Sequence, residues 1–380
     1  MSELHVMSTQ QSPSIPLSAG TGTGKPLSVT KVRKTYGVMT AVDEISMEIG
    51  AGEFVTFLGS SGSGKTTTLM MIAGFVEPDS GSIVVGGRDV TRLAPQKRGL
   101  GFVFQQYLLF PHMTVGENIA FPLQLRGVPK AEIRRRVGET LEIAGLAGFA
   151  RRRPRELSGG QQQRVALCRA LVYRPPVILM DEPLGALDKK LRDQLQTEIK
   201  RIQQELGLTV IYVTHDQEEA LVLSDRIAVM RDGRIDQFDT PRELFERPCT
   251  PFVADFLGAA NFLPGKVEDS TAEHVVVRLD TGGVLRARAQ DVTAGTRVRV
   301  AVQPGRLTPV APEAGFCTGI VESVTYVGTL VRVTVLPEGG TSSTVVRLEV
   351  PAGRAPYVGD RIGLSADPGD VSVFAAGTEG

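Results

Sequence analysis

The stretch Gly59-Ser60-Ser61-Gly62-Ser63-Gly64-Lys65-Thr66 constrains this chain more than any other. An apolar run, Phe54 to Leu58, precedes it and reads as a buried parallel strand. Thr67-Thr68-Leu69-Met70-Met71-Ile72-Ala73 follows and reads as a buried helix. Strand, glycine-rich loop and helix form the context of a phosphate-binding P-loop. Glycines let the backbone curl until several N–H groups point at one spot, and the helix start adds partial positive charge there. Lys65 then reaches the terminal phosphates, and the Thr66 hydroxyl is placed to ligate Mg²⁺. The competing reading is a flexible serine-glycine loop with an accidental lysine; the flanking strand and helix argue against it. The chain carries its own control. Ala19-Gly20-Thr21-Gly22-Thr23-Gly24-Lys25-Pro26 looks alike but has Ala19 for the first glycine, Pro26 at the hydroxyl position and no apolar run before it.

Composition narrows the setting. The 380 residues suffice for two or three domains. The 42 basic and 42 acidic residues cancel, whereas a protein living on the nucleic-acid backbone is usually more basic. No apolar run approaches the roughly 20 residues that span a bilayer, so work at a membrane requires a partner to hold the chain there. Cys168, Cys249 and Cys317 are scattered, and they suit a reducing compartment rather than a disulfide framework or zinc site. The N-terminus lacks a charged-then-apolar signal, which predicts a cytoplasmic location.

Residues 1–26 are rich in Ser, Thr, Gly, Pro and Gln, and a disordered tail is expected. Alternation over Leu27–Val32 predicts a strand ended by Lys34-Thr35-Tyr36-Gly37. Tyr36 then sits just past that strand, as a ring that stacks on a base or as an edge-strand aromatic. Strands are expected at 83–87 and 101–104, the latter closing on Gln105-Gln106, with a greasy loop over 109–115. Residues 130–146 read as a helix. Arg151-Arg152-Arg153-Pro154-Arg155 reads as a solvated loop more than a nucleic-acid patch, because it is short and the chain is neutral. Ser158-Gly159-Gly160-Gln161 opens a helix to about Tyr173; it is a capping box, and its bare N–H groups can also hold an anion.

Val177-Ile178-Leu179-Met180-Asp181-Glu182 puts two carboxylates at the C-terminal end of a buried strand, the ligand-binding edge of an open α/β sheet. A metal ligand and a base are the expected roles, against a bare cap for the next element. Asp188 precedes a helix over 189–206, and its residue reading can be that of an N-cap only. Thr209–Thr214 is another buried strand, and His215 at its end falls where a terminal phosphate would lie. A hairpin is expected with Asp232-Gly233 as its turn. Past about Asn261 helical pattern almost vanishes. Short β-like runs at 274–279, 297–303, 318–327, 329–336, 344–350 and 371–374 predict a small β-barrel or sandwich.

Taken in order, GSSGSGKT at 59–66, FQQ at 104–106, LSGGQ at 157–161, VILMDE at 177–182, GALD at 185–188 and the strand ending at His215 resemble the nucleotide-binding subunit of an ABC transporter. The likeness covers residues 27 to about 240. The tail resembles the TOBE domain of bacterial ABC importers, through Asn261-Phe262-Leu263-Pro264-Gly265, Val302-Gln303-Pro304-Gly305-Arg306 and Asp367-Pro368-Gly369-Asp370-Val371. It departs where the family's inner motif carries Arg-Pro-Glu. The implied fold is α/β: a P-loop ABC-type domain with a helical subdomain over 27–260, then an all-β, OB-like domain over 261–380.

The resemblance implies roles residue by residue. Tyr36 stacks on adenine, and Gly59, Ser60, Ser61, Gly62, Ser63, Gly64, Lys65, Thr66 and Thr67 hold the phosphates of ATP. Asp181, Thr66 and Gln105 serve Mg²⁺. Glu182 positions or deprotonates the attacking water, with His215 at the γ-phosphate. Ser158, Gly159, Gly160 and Gln161 complete the ATP site of an opposite subunit, and Asp188 makes a dimer contact; the family's Ser at the start of that loop is Gly185 here. The expected partners are a second copy, integral-membrane permease subunits and, indirectly, an extracytoplasmic solute-binding protein, with no nucleic acid. The expected place is the cytoplasmic face of the cell membrane, as a peripheral subunit. The pattern looks most like polyamine (spermidine/putrescine) importers. Ferric iron, phosphonate, sulfate or sugar import are alternatives within the family. A soluble ATPase acting on DNA or ribosomes is the alternative class, and a non-catalytic scaffold is a third, against which intact Glu182 and His215 argue.

Overall fold

The computed structural model describes residues 23–185, 188–289, 292–339 and 345–377. Ala186 and Leu187 of the 185–188 motif lie outside the described residues, as do residues 1–22 of the expected tail. Thr23–Pro26 hydrogen-bond to the body of the protein: the Gly24 N–H donates to Gly207 O, Lys25 to Pro176 O, and Gly86 to Pro26 O.

The first part of the chain is two sheets with helices packed around them. β1 (Leu27–Tyr36), β2 (Met39–Ile49), β4 (Ser80–Val85) and β5 (Arg88–Asp89) form an antiparallel sheet in the order β2-β1-β4-β5. β3 (Phe54–Gly59), β6 (Gly101–Val103), β7 (Val177–Asp181), β8 (Thr209–Thr214), β9 (Arg226–Arg231) and β10 (Arg234–Asp239) form the second, in the order β10-β9-β3-β8-β7-β6. β3, β7 and β8 are buried at every residue, as parallel strands covered on both faces must be. β1 runs through Tyr36, so the strand does not end at Lys34 and Tyr36 is its last residue.

Helix α1 (Lys65–Ala73) follows β3. The short α2 (Pro95–Arg98) ends in Arg98, which is 6% exposed. Its guanidinium donates to Met71 O, Ile72 O, Leu93 O and Thr91 O at 2.7–2.8 Å. Two of those carbonyls, Met71 O and Ile72 O, belong to the last turn of α1, where intrahelical donors run out. A cation there also matches the negative end of the helix dipole. Arg98→Met leaves Ile72 O, Leu93 O and Thr91 O without their donor and Met71 O with the Gly74 N–H alone. Thermal unfolding is expected to show a loss of ~3–5 kcal/mol, hence a Tm lower by ~10 °C; a Tm within a degree of the parent contradicts this role.

A helical layer packs beside the second sheet. It comprises α3 (Val115–Leu125), α4 (Lys130–Ile143) and α5 (Gly159–Leu171), and Val115, Ile119, Leu123, Ile133, Val137, Leu141, Val165 and Cys168 share one core. The greasy loop ends at Thr114, which caps α3 and closes a capping box with Glu117. α6 (Lys189–Leu206) and α7 (Gln217–Leu223) flank β8, and α8 (Pro241–Glu246) and α9 (Pro251–Gly258) close the body.

The remainder is all β. β11 (Asn261–Ser270), β12 (His274–Leu279), β13 (Val284–Arg288), β14 (Arg297–Val302) and β20 (Val371–Ala375) form one five-stranded sheet. β15 (Thr308–Val310), β16 (Cys317–Val327), β17 (Leu330–Pro337), β18 (Val346–Pro351) and β19 (Arg361–Ser365) form the other. Alternate valines and leucines of both sheets fill one core. Buried Asn261 staples the sheets together: its Nδ2 donates to Val302 O and Arg347 O, and its Oδ1 accepts from the Arg347 N–H. The two parts of the chain meet where Ala254 packs against Ala301 and Phe374. Cys168, Cys249 and Cys317 are all free thiols.

Candidate functional site

β3 delivers the chain into the glycine loop at the C-terminal edge of the second sheet. Gly62 and Gly64 have φ of 83° and 95°, which L side chains rarely adopt. At Gly59 a Cβ would stand 2.3 Å from Met230 O, so only glycine fits between the loop and β9. Gly64 caps α1 with no side-chain bond, leaving the first helical N–H groups bare toward the loop. Lys65 is 5% exposed, and its Nζ donates to Gly59 O at 2.8 Å and Ser60 O at 2.7 Å, holding the loop closed. Burial pushes its ammonium below the usual lysine range, with Glu182 and Asp181 opposing.

β7 runs beside β8, and its end supplies the acids. Asp181 accepts from Thr66 Oγ1 at 3.2 Å. Burial holds its carboxyl above the usual range; the Thr66 bond acts the other way. Glu182 turns out of the strand with φ 41°, a left-handed value that strains a non-glycine residue. Its N–H still donates to Val213 O at 3.0 Å, so the turn is pinned to β8. The carboxylate then lies between two side chains. Gln105 Nε2 donates to Oε2 at 3.2 Å, and His215 Nδ1 stands 3.3 Å from Oε1.

An open cleft of about 830 Å³ is lined by Tyr36, Ser61, Gly62, Ser63, Gly64, Lys65, Thr66, Thr67, Glu182 and His215. Gly59, Ser60, Gln105 and Asp181 join it through the bonds just described. Met39, Thr40, Ala41 and Asp232 also line it and were not anticipated from the sequence. They come from the β1–β2 hairpin and the β9–β10 turn, and only the Asp232-Gly233 turn left a local signal. Ser158–Gln161 and Asp188 lie outside this lining. Ser158 Oγ accepts from the Gln161 N–H, Gln161 Oε1 accepts from the Ser158 N–H, and Gly160 packs closely on Leu191. Asp188 caps α6 by accepting from the Leu191 N–H. Both capping readings hold.

A strand–loop–helix phosphate cradle facing paired carboxylates at the end of β7, one strand beyond β8, defines a P-loop nucleotide hydrolase. Residues 42–185 match the ABC transporter family, and residues 300–374 match the TOBE domain. A spermidine/putrescine import ATP-binding protein of Rubrobacter xylanophilus is 50% identical over 323 residues, 83% of this chain and 86% of that protein. An Fe(3+) ions import ATP-binding protein of Agrobacterium fabrum is 48% identical over 321 residues, 84% of this chain and 90% of that one. A dimeric ATP-binding cassette in a post-hydrolysis state with ADP and Pi superposes with a TM-score of 0.52 at 36% identity, over 57% of this chain and 99% of that one. The chain belongs to the ABC transporter family, as an ATP-binding subunit with a C-terminal TOBE domain. Among the described residues no helix is long and apolar enough to cross a membrane.

Proposed function

We propose that this ATPase energises import of a polyamine, spermidine or putrescine, through a membrane permease. It does so as a homodimer held at the cytoplasmic face of the membrane. The observation that carries the hydrolytic part is Glu182 held between Gln105 and His215 at the lip of the glycine loop. The relatives named for spermidine/putrescine import support the cargo.

The bare N–H groups of the loop and α1 bind the phosphates, and Lys65 opposes their charge. Tyr36, 47% exposed at the cleft wall, offers its ring to adenine. Thr66 and Asp181, 3.2 Å apart, fit Mg²⁺, which keeps most of its shell from water and phosphate and needs few protein oxygens. Held there, the ion would supply positive charge to the phosphates. Glu182 orients and deprotonates the attacking water, and His215 contacts the γ-phosphate. Ser158, Gly159, Gly160 and Gln161 lie outside the cleft of their own subunit and offer a capped, glycine-rich helix start to the partner's triphosphate. Asp188 supports the contact between copies. The domain boundaries proposed are 27–260 and 261–380.

Labelled-spermidine uptake by cells producing this chain with its permease tests the reading. Accumulation is expected with the parent chain and is lost with Glu182→Gln. Ferric-iron uptake in its place overturns the polyamine assignment while leaving the ATPase intact.

A further inference from the structure

Among the described residues the hydrolytic scheme leaves one buried carboxylate unused, and it lies close to His215 in the chain. Glu219, on α7, is 2% exposed. Its Oε2 accepts from Tyr212 Oη at 2.7 Å and from Thr214 Oγ1 at 2.8 Å. Its Oε1 faces Arg192 Nε at 3.6 Å, and Arg192 Nη1 also donates to Asp216 Oδ2 at 3.1 Å. Burial raises the Glu219 carboxyl above its ordinary range.

The residues on both sides of His215 are gripped by this group. Thr214 donates to Glu219, and the same Thr214 Oγ1 accepts from the Asp216 N–H at 3.0 Å. Asp216 Oδ1 in turn accepts from the Glu219 N–H. One carboxylate and its donors thus hold the residues on both sides of His215, where the β8 ladder ends. Burying a charged pair adds little stability over well-packed apolar residues, so stability alone does not account for it. The guanidinium comes from α6, one turn past the cap: the Arg192 N–H donates to Asp188 O at 2.9 Å.

We infer that the Glu219–Arg192 pair positions His215 for hydrolysis and ties it to the helix that starts at Asp188. The inference rests on His215 acting at the nucleotide, as proposed above. Neither Glu219 nor Arg192 lines the cleft; they act through His215.

The test is steady-state ATPase of the full chain carrying Glu219→Gln or Arg192→Met, each also combined with His215→Ala, with thermal melts as a folding control. The expected result is a kcat lower by ~10-fold at an ATP KM within about twofold of the parent. Neither substitution is expected to lower the rate further in the His215→Ala background. Arg192 is about a quarter exposed, so Arg192→Met keeps the test alive if Glu219→Gln fails to fold. An unchanged kcat in a folded variant overturns the inference. So does a full further loss on top of His215→Ala. Normal turnover by His215→Ala alone overturns the site reading itself, and the inference with it.

Discussion

Glu182→Gln is expected to bind ATP as the parent does and to turn it over ~10³-fold more slowly, within the range of lost general-base catalysis. The substitution is nearly isosteric. The amide can still meet Gln105 and His215, which flank the native carboxylate at 3.2 and 3.3 Å. It cannot accept a proton from water. The strained φ of 41° at this position is set by the backbone bond to Val213, which the substitution leaves in place. A loss in kcat with unchanged affinity is the signature of an interaction made only in the transition state. ATP-loaded dimers are therefore expected to accumulate on gel filtration. Normal turnover removes Glu182 from its role.

Lys65→Ala strikes an earlier step. The ammonium is the one buried cation of the glycine loop, and it bonds the loop's own Gly59 and Ser60 carbonyls. Its removal takes away the clasp that keeps the loop curled and, on the proposed reading, the charge that opposes the phosphates. Charge-assisted hydrogen bonds of this kind are worth ~1.5–3 kcal/mol each, so an ATP affinity at least ~100-fold weaker is expected by calorimetry. Unchanged affinity contradicts the phosphate-cradle reading. The two variants separate binding from chemistry.

Much of the site was legible because it rests on local rules. The glycine loop shows itself through its flanking strand and helix. Asp181, Glu182 and His215 show themselves because they end apolar runs that only buried parallel strands explain. What stayed hidden depends on distant partners. β2 was missed because a bulge breaks its period: Val42 and Ile45 are both buried but three residues apart, and Glu44 between them has φ 53°. Its tip, Met39 to Ala41, therefore went unnoticed as a wall of the cleft. Arg98 reads as one more surface charge after Gln96-Lys97, and only the fold brings four carbonyls around it. Glu219 reads as an ordinary acid in the first turn of a helix, and its donors come from β8 and α6. In the tail, Pro264 and Gly265 disguise β11 as a turn. Gly265 is there because a Cβ would stand 2.6 Å from Arg278 O on the neighbouring strand.

The account turns on an open cleft whose lining does not include Ser158–Gln161. The most direct measurement is ATP hydrolysis per subunit against protein concentration, with Mg²⁺ present and the assembly state read in parallel by light scattering. Specific activity that rises with concentration and follows the dimer fraction is the predicted result. Full specific activity from a preparation that scatters as monomer contradicts it.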